Sequence, residues 1–146
     1  MSEVCVDGVL LTPLSVIDTP GGDVMHGMKV HDPGYEGFGE AYFSRIETSV
    51  VKGWKRHRRM TLNLMVPIGS IRFVIYDDRV SSATYRVFQE VILSTKNYQR
   101  LTVPPMLWMA FQGVGEKTNM LLNIASIWHE PSEADRREID EIQFPW

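Results

Sequence analysis

Five cationic side chains lie close together in the middle of the chain, with no acidic residue among them. They fall within eight residues: Lys52, Lys55, Arg56, Arg58 and Arg59. Guanidinium and ammonium groups bind phosphates, and arginine binds them through two hydrogen bonds at once. The run therefore indicates an anionic ligand such as a phosphate or diphosphate. The alternative is a solvated edge strand, because lysine and arginine also protect exposed sheet edges.

His57 lies inside this basic run and Trp54 lies beside it. Neighbouring positive charge favours the neutral imidazole, which accepts a proton, so His57 is a candidate general base; the alternative is a surface histidine with no role. Trp54 is placed to stack on a base or sugar. In an extended segment, alternate side chains face opposite ways. The two expected faces are Lys55, His57 and Arg59 on one side, and Trp54, Arg56 and Arg58 on the other.

Other residues give weaker indications of chemistry. Gly53, inside a strand pattern, predicts a bulge or a close approach of the backbone. The four histidines include no His-x-His pair, and no glutamate follows at a short fixed spacing, so no metal site is expected. Three tyrosines are possible proton donors, although tyrosines in strands more often pack: Tyr76, Tyr85 and Tyr98.

The composition limits what kind of protein this is. A chain of 146 residues with 44% hydrophobic and 23% charged residues is typical of one globular domain, here residues 1–146. The net charge of -3 argues against a protein that coats nucleic acid. No apolar run approaches the roughly 20 residues of a membrane-spanning helix, and no signal peptide is recognisable. The lone Cys5 can form no internal disulfide, so we expect a cytoplasmic protein. From the charge and the absence of a long apolar run, we expect neither a nucleic-acid nor a membrane partner.

The elements that must position these residues are mainly strands. Apolar and β-branched runs recur about every ten residues, with proline, glycine or aspartate between them, over residues 60–66, 71–76, 84–93, 100–103, 107–111 and 118–128. This spacing predicts an antiparallel sandwich or barrel. The glycine- and proline-rich residues 18–39 predict a long loop or irregular hairpin, which on a rigid β scaffold often carries function.

Only the tail of the chain has a helical pattern. Ser132 is a possible cap, and Ile139 and Ile142 lie three residues apart on one helical face. We therefore predict a short C-terminal helix. Its acidic residues are expected to form a solvated face: Glu130, Glu133, Asp135, Glu138, Asp140 and Glu141.

Four motifs, in order from about residue 8 to residue 131, resemble the dTDP-4-dehydrorhamnose 3,5-epimerases. Residues 50–55, Val-Val-Lys-Gly-Trp-Lys, resemble the family's Val-Val-Arg-Gly-Leu-His, and residues 103–111 resemble its Ile-Pro-Pro-Gly-Phe-Ala-His-Gly-Phe. The opening residues 8–13 and the segment 126–131 are similar to its start and to its Asp-Tyr-Tyr-Ala-Pro. The resemblance implies a cupin-type jelly roll, usually a homodimer, that acts on a nucleotide-linked 4-keto sugar. The related sugar ketoisomerases share this fold.

Several positions depart from the family's pattern. The general-base histidine falls on Lys55, whereas His57 matches the second histidine of the ketoisomerases' His-x-His. The second family histidine falls on Met109, and the acid tyrosine falls near Ile127 or Trp128. The family's phosphate-binding arginine is matched by Lys52, its strand lysine by Asn63, and the arginine near its start by Pro20.

The resemblance leads to an epimerase or ketoisomerase hypothesis. A base removes a proton next to the C4 ketone and a donor stabilises the enolate, with no cofactor. The base is His57, or Lys55 with its pKa lowered by neighbouring cations, and Tyr76 is the candidate donor. The residues expected to bind the diphosphate, the base and the sugar are Lys52, Arg56, Arg59, Trp54 and Asn63. The alternatives are a catalytically silent cupin that binds a sugar nucleotide, and a barrel that binds an unrelated anion.

Overall fold

Short apolar runs interrupted by proline, glycine and aspartate fold into strands in the computed structural model, which describes residues 4–146. The strands within that range are β1 Leu10–Pro13, β2 Val16–Thr19, β3 Gly22–Met25, β4 Glu40–Ile46, β5 Val51–His57, β6 Leu62–Ile68, β7 Ser70–Tyr76, β8 Phe88–Ser94, β9 Gln99–Val103, β10 Trp108–Gly113, β11 Asn119–Ala125 and β12 Ala134–Arg136. In the described range, no helix is long and apolar enough to cross a membrane.

Two five-stranded antiparallel sheets face each other. The first sheet has the order β1-β9-β6-β11-β4, and the second has the order β12-β5-β10-β7-β8. Their inner faces share one core, to which Leu62 and Leu64 contribute from the first sheet and Phe73 and Ile75 from the second. The predicted cupin-type jelly roll is confirmed. The separate β2–β3 hairpin occupies the start of the segment expected to be an irregular loop or hairpin.

The second sheet is apolar on its outer face as well. Trp54, Val74 and Trp108 form a cluster there with Ile142, and Phe144 and Trp146 pack against that cluster. The C-terminal segment therefore covers this face, and this explains why β7 is apolar at nearly every position rather than alternating.

The predicted C-terminal helix is wrong. Residues 131–141 contain two single 3-10 turns, Pro131–Glu133 and Ile139–Glu141, with the strand β12 between them. Strand β12 pairs antiparallel with β5, with Ala134 opposite His57. The extended conformation is favoured over a helix because it places Asp135 beside Arg56 and Arg58 of the basic run, where it forms ion pairs with both. The acidic residues are not a uniform solvated face either, because Glu133 is buried.

The loop after the β2–β3 hairpin covers the outer face of the first sheet. Arg100 of β9, which is fully buried, donates hydrogen bonds to the carbonyl oxygens of Gly27 and Pro33 at 2.7 and 2.9 Å. Strand β8 begins at Phe88 rather than at residue 84, because Asp77 binds the preceding turn through Arg79, Ser82 and Thr84.

Candidate active site

A cavity of about 340 Å³ lies between the two sheets, and the inward side chains of five strands line it. The first sheet contributes Tyr42, Ser44, Leu62, Leu64, Leu121 and Asn123, and the second contributes Lys52, Gly53, Lys55, His57, Met109 and Phe111. The walls are therefore apolar, with polar groups from β4 and β11 facing cationic groups from β5. Such a pocket, apolar with a few convergent polar groups, is typical of a small-molecule site.

A bulge in β5 brings two lysines onto the same wall. Lys55 pairs with Met109 of β10, and Lys52 pairs with Phe111, so β5 spans three residue steps where β10 spans two. Without the extra residue, alternation would direct Lys52 and Lys55 to opposite faces. The bulge predicted at Gly53 is present, and a side chain at Gly53 would collide with Ile139 of the C-terminal segment.

His57 has a buried carboxylate partner. Its Nδ1 is hydrogen-bonded to Oε1 of Glu133, and the His57 side chain is only 11% exposed. In the neutral ring, Nδ1 carries the proton donated to the carboxylate, so Nε2 keeps its lone pair. Among residues 4–146, no group is hydrogen-bonded to Nε2. The arrangement holds the imidazole in the tautomer that a general base requires.

The backbone wraps around the same carboxylate. After His57 the chain leaves the strand, and the N–H groups of Arg58, Arg59 and Met60 donate to Oε2 of Glu133 at 3.2, 3.2 and 3.3 Å. Burial alone would raise the pKa of Glu133, but the hydrogen bonds from His57 and from the backbone outweigh it, and the pKa lies below its usual value. Glu133 is therefore ionised at neutral pH.

The pKa of His57 lies below its usual value. Burial is the largest cause, and the charges of Lys55 and His129 act in the same direction, while Glu133 partly opposes them. The imidazole is therefore neutral at pH 7 and able to accept a proton. Burial also lowers the pKa of Lys55, helped by the charge of Arg136 and opposed by Glu133. No carboxylate in the described part of the chain lies within 4 Å of the Lys55 ammonium.

Three of the predicted site residues lie on the outer face of the second sheet instead. Trp54 is fully buried and donates from Nε1 to the carbonyl oxygen of Ile139 at 3.3 Å. Arg56 forms an ion pair with Asp135 at 2.8 Å. The Tyr76 ring packs at a tilt against that of Phe88, with centroids 4.5 Å apart. The tail covers this face, so neither stacking on a nucleotide base by Trp54 nor proton donation by Tyr76 fits the structure.

Two further predicted residues also lie outside the cavity. Arg59 follows the end of β5, where the chain turns around Glu133, and its exposed guanidinium pairs with Glu130 at 2.8 Å. Asn63 is buried on the outer face of the first sheet, where it donates to the carbonyl oxygen of Gly34 at 3.0 Å and accepts from Thr102 at 2.6 Å. The predicted residues that the cavity does bring together are Lys52, Lys55 and His57.

Glu133 and Tyr42 belong to this site although the sequence analysis assigns them no role in it. Glu133 was grouped with its acidic neighbours, and nothing local distinguishes it from them. Tyr42 lines the cavity from β4, and its Oη accepts a hydrogen bond from Nδ2 of Asn123 at 3.0 Å. The alternation of Tyr42, Ser44 and Ile46 along β4 is the signal that would have identified an inward-facing tyrosine.

A second, more open cavity of about 550 Å³ adjoins the first through Lys52. Arg45 and Lys117 add their cationic side chains to its lining, in which Glu47 is the one acidic residue. The Lys52 ammonium donates to the carbonyl oxygen of Arg45 at 3.0 Å. We call this second cavity, with Arg45, Lys52 and Lys117, the basic mouth. Within the described residues, no group of three or more His, Cys, Asp or Glu side chains is arranged to hold a metal ion.

Comparisons with known proteins bear on the family and the fold of this chain. A model of the dTDP-4-dehydrorhamnose 3,5-epimerase family matches residues 28–146. The solved dTDP sugar isomerase from Desulfovibrio desulfuricans G20 is 36% identical, with a TM-score of 0.92 over 97% of this chain and 92% of that one. The dTDP-6-deoxy-D-glucose-3,5-epimerase of Legionella pneumophila was solved with dTDP-4-keto-L-rhamnose. It is 16% identical, with a TM-score of 0.81 over 94% of this chain and 76% of that one. At this identity the likeness supports the fold alone.

A curated relative is less similar to this chain, and the match covers only part of its length. The probable low-salt glycan biosynthesis epimerase Agl13 of Haloferax volcanii is 28% identical over 100 residues, which is 68% of this chain and 64% of that protein. The resemblance predicted from the motifs is confirmed by the family match and by the isomerase at 36% identity. The chain therefore belongs to the dTDP-4-dehydrorhamnose 3,5-epimerase family.

Proposed function

We propose that this protein is a nucleotide-sugar epimerase that acts on a dTDP-4-keto-6-deoxyhexose by proton transfer next to the ketone. The observation that carries the proposal is the His57–Glu133 pair in the cavity between the sheets. A buried carboxylate that fixes a neutral imidazole makes a general base, and the apolar walls keep that base dry. The family and the names of the solved relatives support the class of substrate.

In the proposed reaction, Nε2 of His57 removes the proton from a carbon adjacent to the C4 ketone. The electrons of the C–H bond form the new C=C bond, and the carbonyl π pair moves onto O4 as an enolate. Lys55 lies on the same strand two residues away and has no carboxylate partner within 4 Å among residues 4–146, so its ammonium is available to stabilise O4. Return of a proton to the opposite face of the carbon gives the epimer and restores the ketone.

His57 is a better base than Lys55. Glu133 fixes the tautomer of His57 and compensates the charge that the imidazole gains when it takes the proton. In the part of the chain that the structure describes, Lys55 has no such acceptor, and Arg136 adds positive charge near it. These groups therefore act together, with His57 taking the proton and Lys55 stabilising the charge that this creates.

The basic mouth is the proposed site of the diphosphate. Lys52 belongs to both cavities, so a sugar next to His57 extends past Lys52 toward Arg45 and Lys117. This assignment replaces Arg56 and Arg59, whose guanidinium groups are already paired with Asp135 and Glu130. Phosphates favour such converging cations because each ion pair is charge-assisted.

The test is solvent exchange in deuterated water with a dTDP-4-keto-6-deoxyhexose, followed by NMR. We expect deuterium at C3 or C5 with the wild-type protein, and a loss of at least about 100-fold in the exchange rate for His57→Asn, since a general base contributes 10² to 10⁴. The His57→Asn variant should still bind dTDP. Binding of dTDP without any exchange in the wild type would leave the catalytically silent cupin as the function. A 3-keto product would instead indicate a ketoisomerase.

We further propose that the protein is a cytoplasmic homodimer serving deoxysugar and polysaccharide biosynthesis, such as that of lipopolysaccharide. The β2–β3 hairpin supports the dimer, because it leaves the cross-strand pair Ile17 and Val24 48% and 50% exposed in the isolated chain. An apolar surface of this kind is typical of an interface. Light scattering after gel filtration is expected to give twice the chain mass of 16.7 kDa.

A further inference from the structure

We infer that Tyr42 is the general acid that delivers the proton to the substrate face opposite His57, an inference that rests on the proposed function. Tyr42 lines the cavity from β4 of the first sheet, and His57 lines it from β5 of the second. A sugar ring held between the sheets therefore has the imidazole on one face and the phenol on the other. Inversion of a carbon needs this arrangement, because the proton leaves one face and arrives at the other.

The hydrogen bonds of Asn123 determine which way the phenol donates. Asn123 is fully buried on β11, and its Oδ1 accepts the backbone N–H of Asn63 at 3.1 Å. Because a backbone N–H can only donate, the orientation of the amide is fixed and Nδ2 faces Tyr42 Oη at 3.0 Å. Oη accepts that bond, so its own proton is not used there. Among the described residues no acceptor takes the Tyr42 proton, which is left for a group in the cavity.

Asn123 also prepares the hydroxyl oxygen for the negative charge it acquires. When Tyr42 protonates the carbon, its O–H bond breaks, and the C–H bond forms with the electron pair of the enolate. The phenolate that remains keeps the hydrogen bond from Asn123, which is stronger to a charged oxygen than to a neutral one. Solvent water then returns a proton to Tyr42, and His57 releases to solvent the proton that it took, so the protein ends unchanged.

The donors that the sequence analysis considered do not supply this face. Lys55 projects from the same strand as His57, so it lies on the same wall. Tyr76 lies on the outer face of the second sheet against Phe88. Ile127 and Trp128, at the family's acid position, carry no hydroxyl. Tyr42 therefore supplies a phenol from the opposite wall of the cavity, whereas the residues that match the family's acid tyrosine, Ile127 and Trp128, carry none.

The test is Tyr42→Phe in deuterated water, with exchange and epimer formation followed separately. Without the phenol, His57 can still take a proton and return deuterium to the same face. We therefore expect Tyr42→Phe to keep exchange within about threefold of the wild-type rate and to lose at least about 100-fold in epimer formation. Tyr85→Phe, which removes an exposed hydroxyl outside the cavity, is the matched control and should change neither rate.

The outcomes separate this inference from the proposed function. Epimer formation at the wild-type rate in Tyr42→Phe, with exchange intact, overturns the role of Tyr42 and leaves the epimerase standing. Loss of both exchange and epimer formation in a folded variant that still binds dTDP also overturns it, since Tyr42 would then act in enolisation. Absence of exchange in the wild type overturns both proposals. Circular dichroism and dTDP binding establish that each variant is folded.

Discussion

At the scale of single residues, the site depends on how each ionisable group is partnered. His57 and Glu133 form a buried pair, whereas Arg59 and Glu130, a few residues away on the same segments, form an exposed one. Because the first pair is buried, the loss of either member should destabilise the protein. The second pair is exposed to solvent and contributes little to the free energy of unfolding. The two pairs therefore give a test and its control within a few residues of each other.

Glu133→Gln is expected to lower kcat by about 100-fold or more, because the amide no longer fixes the tautomer of His57. The acid limb of kcat/KM should also move. Activity needs neutral His57 and falls as pH drops through its pKa, which lies below the usual 6.5. Glu133 raises that pKa, so its removal should shift the limb to lower pH. The measurement is the pH dependence of kcat/KM.

Glu130→Gln is the matched control for this variant. It breaks an exposed ion pair, so we expect less than about 1 kcal/mol of stability to be lost and the pH profile to be unchanged. Glu133→Gln should cost about 1–3 kcal/mol, the range for a buried hydrogen-bonded group. A shift of the acid limb to higher pH in Glu133→Gln would contradict the arrangement of the dyad.

At the scale of elements, β12 matters most, because it pairs with β5 and carries the chain from Glu133 to the aromatic cover of the second sheet. Asp135 anchors it. Hydrogen bonds from Arg58 and then from Arg56 lower the pKa of Asp135 to about 2. Since the folded-state pKa is depressed, the stability that this carboxylate contributes is fully present above its unfolded pKa of about 3.9. It is lost as pH falls toward 2.

Asp135→Asn should therefore lower the melting temperature by a few degrees at pH 6, and most of the difference from the wild type should be lost by pH 2. The effect is small because solvent screens these ion pairs. Thermal unfolding followed by calorimetry between pH 6 and pH 2 measures it. Asp140→Asn, an exposed change in the same segment, is the control and should leave the melting temperature unchanged at every pH. A difference between Asp135→Asn and the wild type that is as large at pH 2 as at pH 6 would refute the assignment.

Strand positions were predictable because turn residues separate apolar runs at regular intervals, and the bulge was predictable from Gly53. The consequence of the bulge was not, because strict alternation directs Lys52 away from Lys55. The C-terminal helix was predicted in error because the three-residue spacing of Ile139 and Ile142 also fits the single 3-10 turn Ile139–Glu141, in which side chains three residues apart lie on one side. The partner of His57 lies 76 residues away in sequence. No local pattern indicates such a contact, since tertiary packing alone creates it.

At the scale of the whole molecule, the charge is unevenly distributed. The chain carries a net charge of -3, yet the basic mouth presents Arg45, Lys52 and Lys117 around the entrance to the cavity. A local positive field in a molecule of the opposite net sign attracts a dianionic substrate to one place. Salt screens this attraction, since the Debye length falls from about 30 Å at 0.01 M to about 3 Å at 1 M.

We accordingly expect KM to rise with ionic strength while kcat stays nearly constant. Lys117→Ala should raise KM at low salt by several-fold and flatten its salt dependence, because one of the cations at the mouth is gone. Lys96→Ala removes a lysine from outside both cavities and should keep the wild-type salt dependence. Steady-state kinetics from 0.01 to 1 M salt checks this, and equal salt dependence in all three proteins would rule out the mouth as the diphosphate site.

The bulge in β5 also places Trp54 on the face of the strand opposite to the cavity. It turns Trp54 to the outer face, fully buried beside Trp146, while Lys52 and Lys55 on either side of it face the cavity. The backbone of one strand thus lies between the indole and any bound sugar. Fluorescence from the cluster of Trp54, Trp108 and Trp146 should report whether the C-terminal segment is docked, and should respond little to a ligand that fills the cavity. The protein thereby carries its own intrinsic reporter of the segment that holds Glu133.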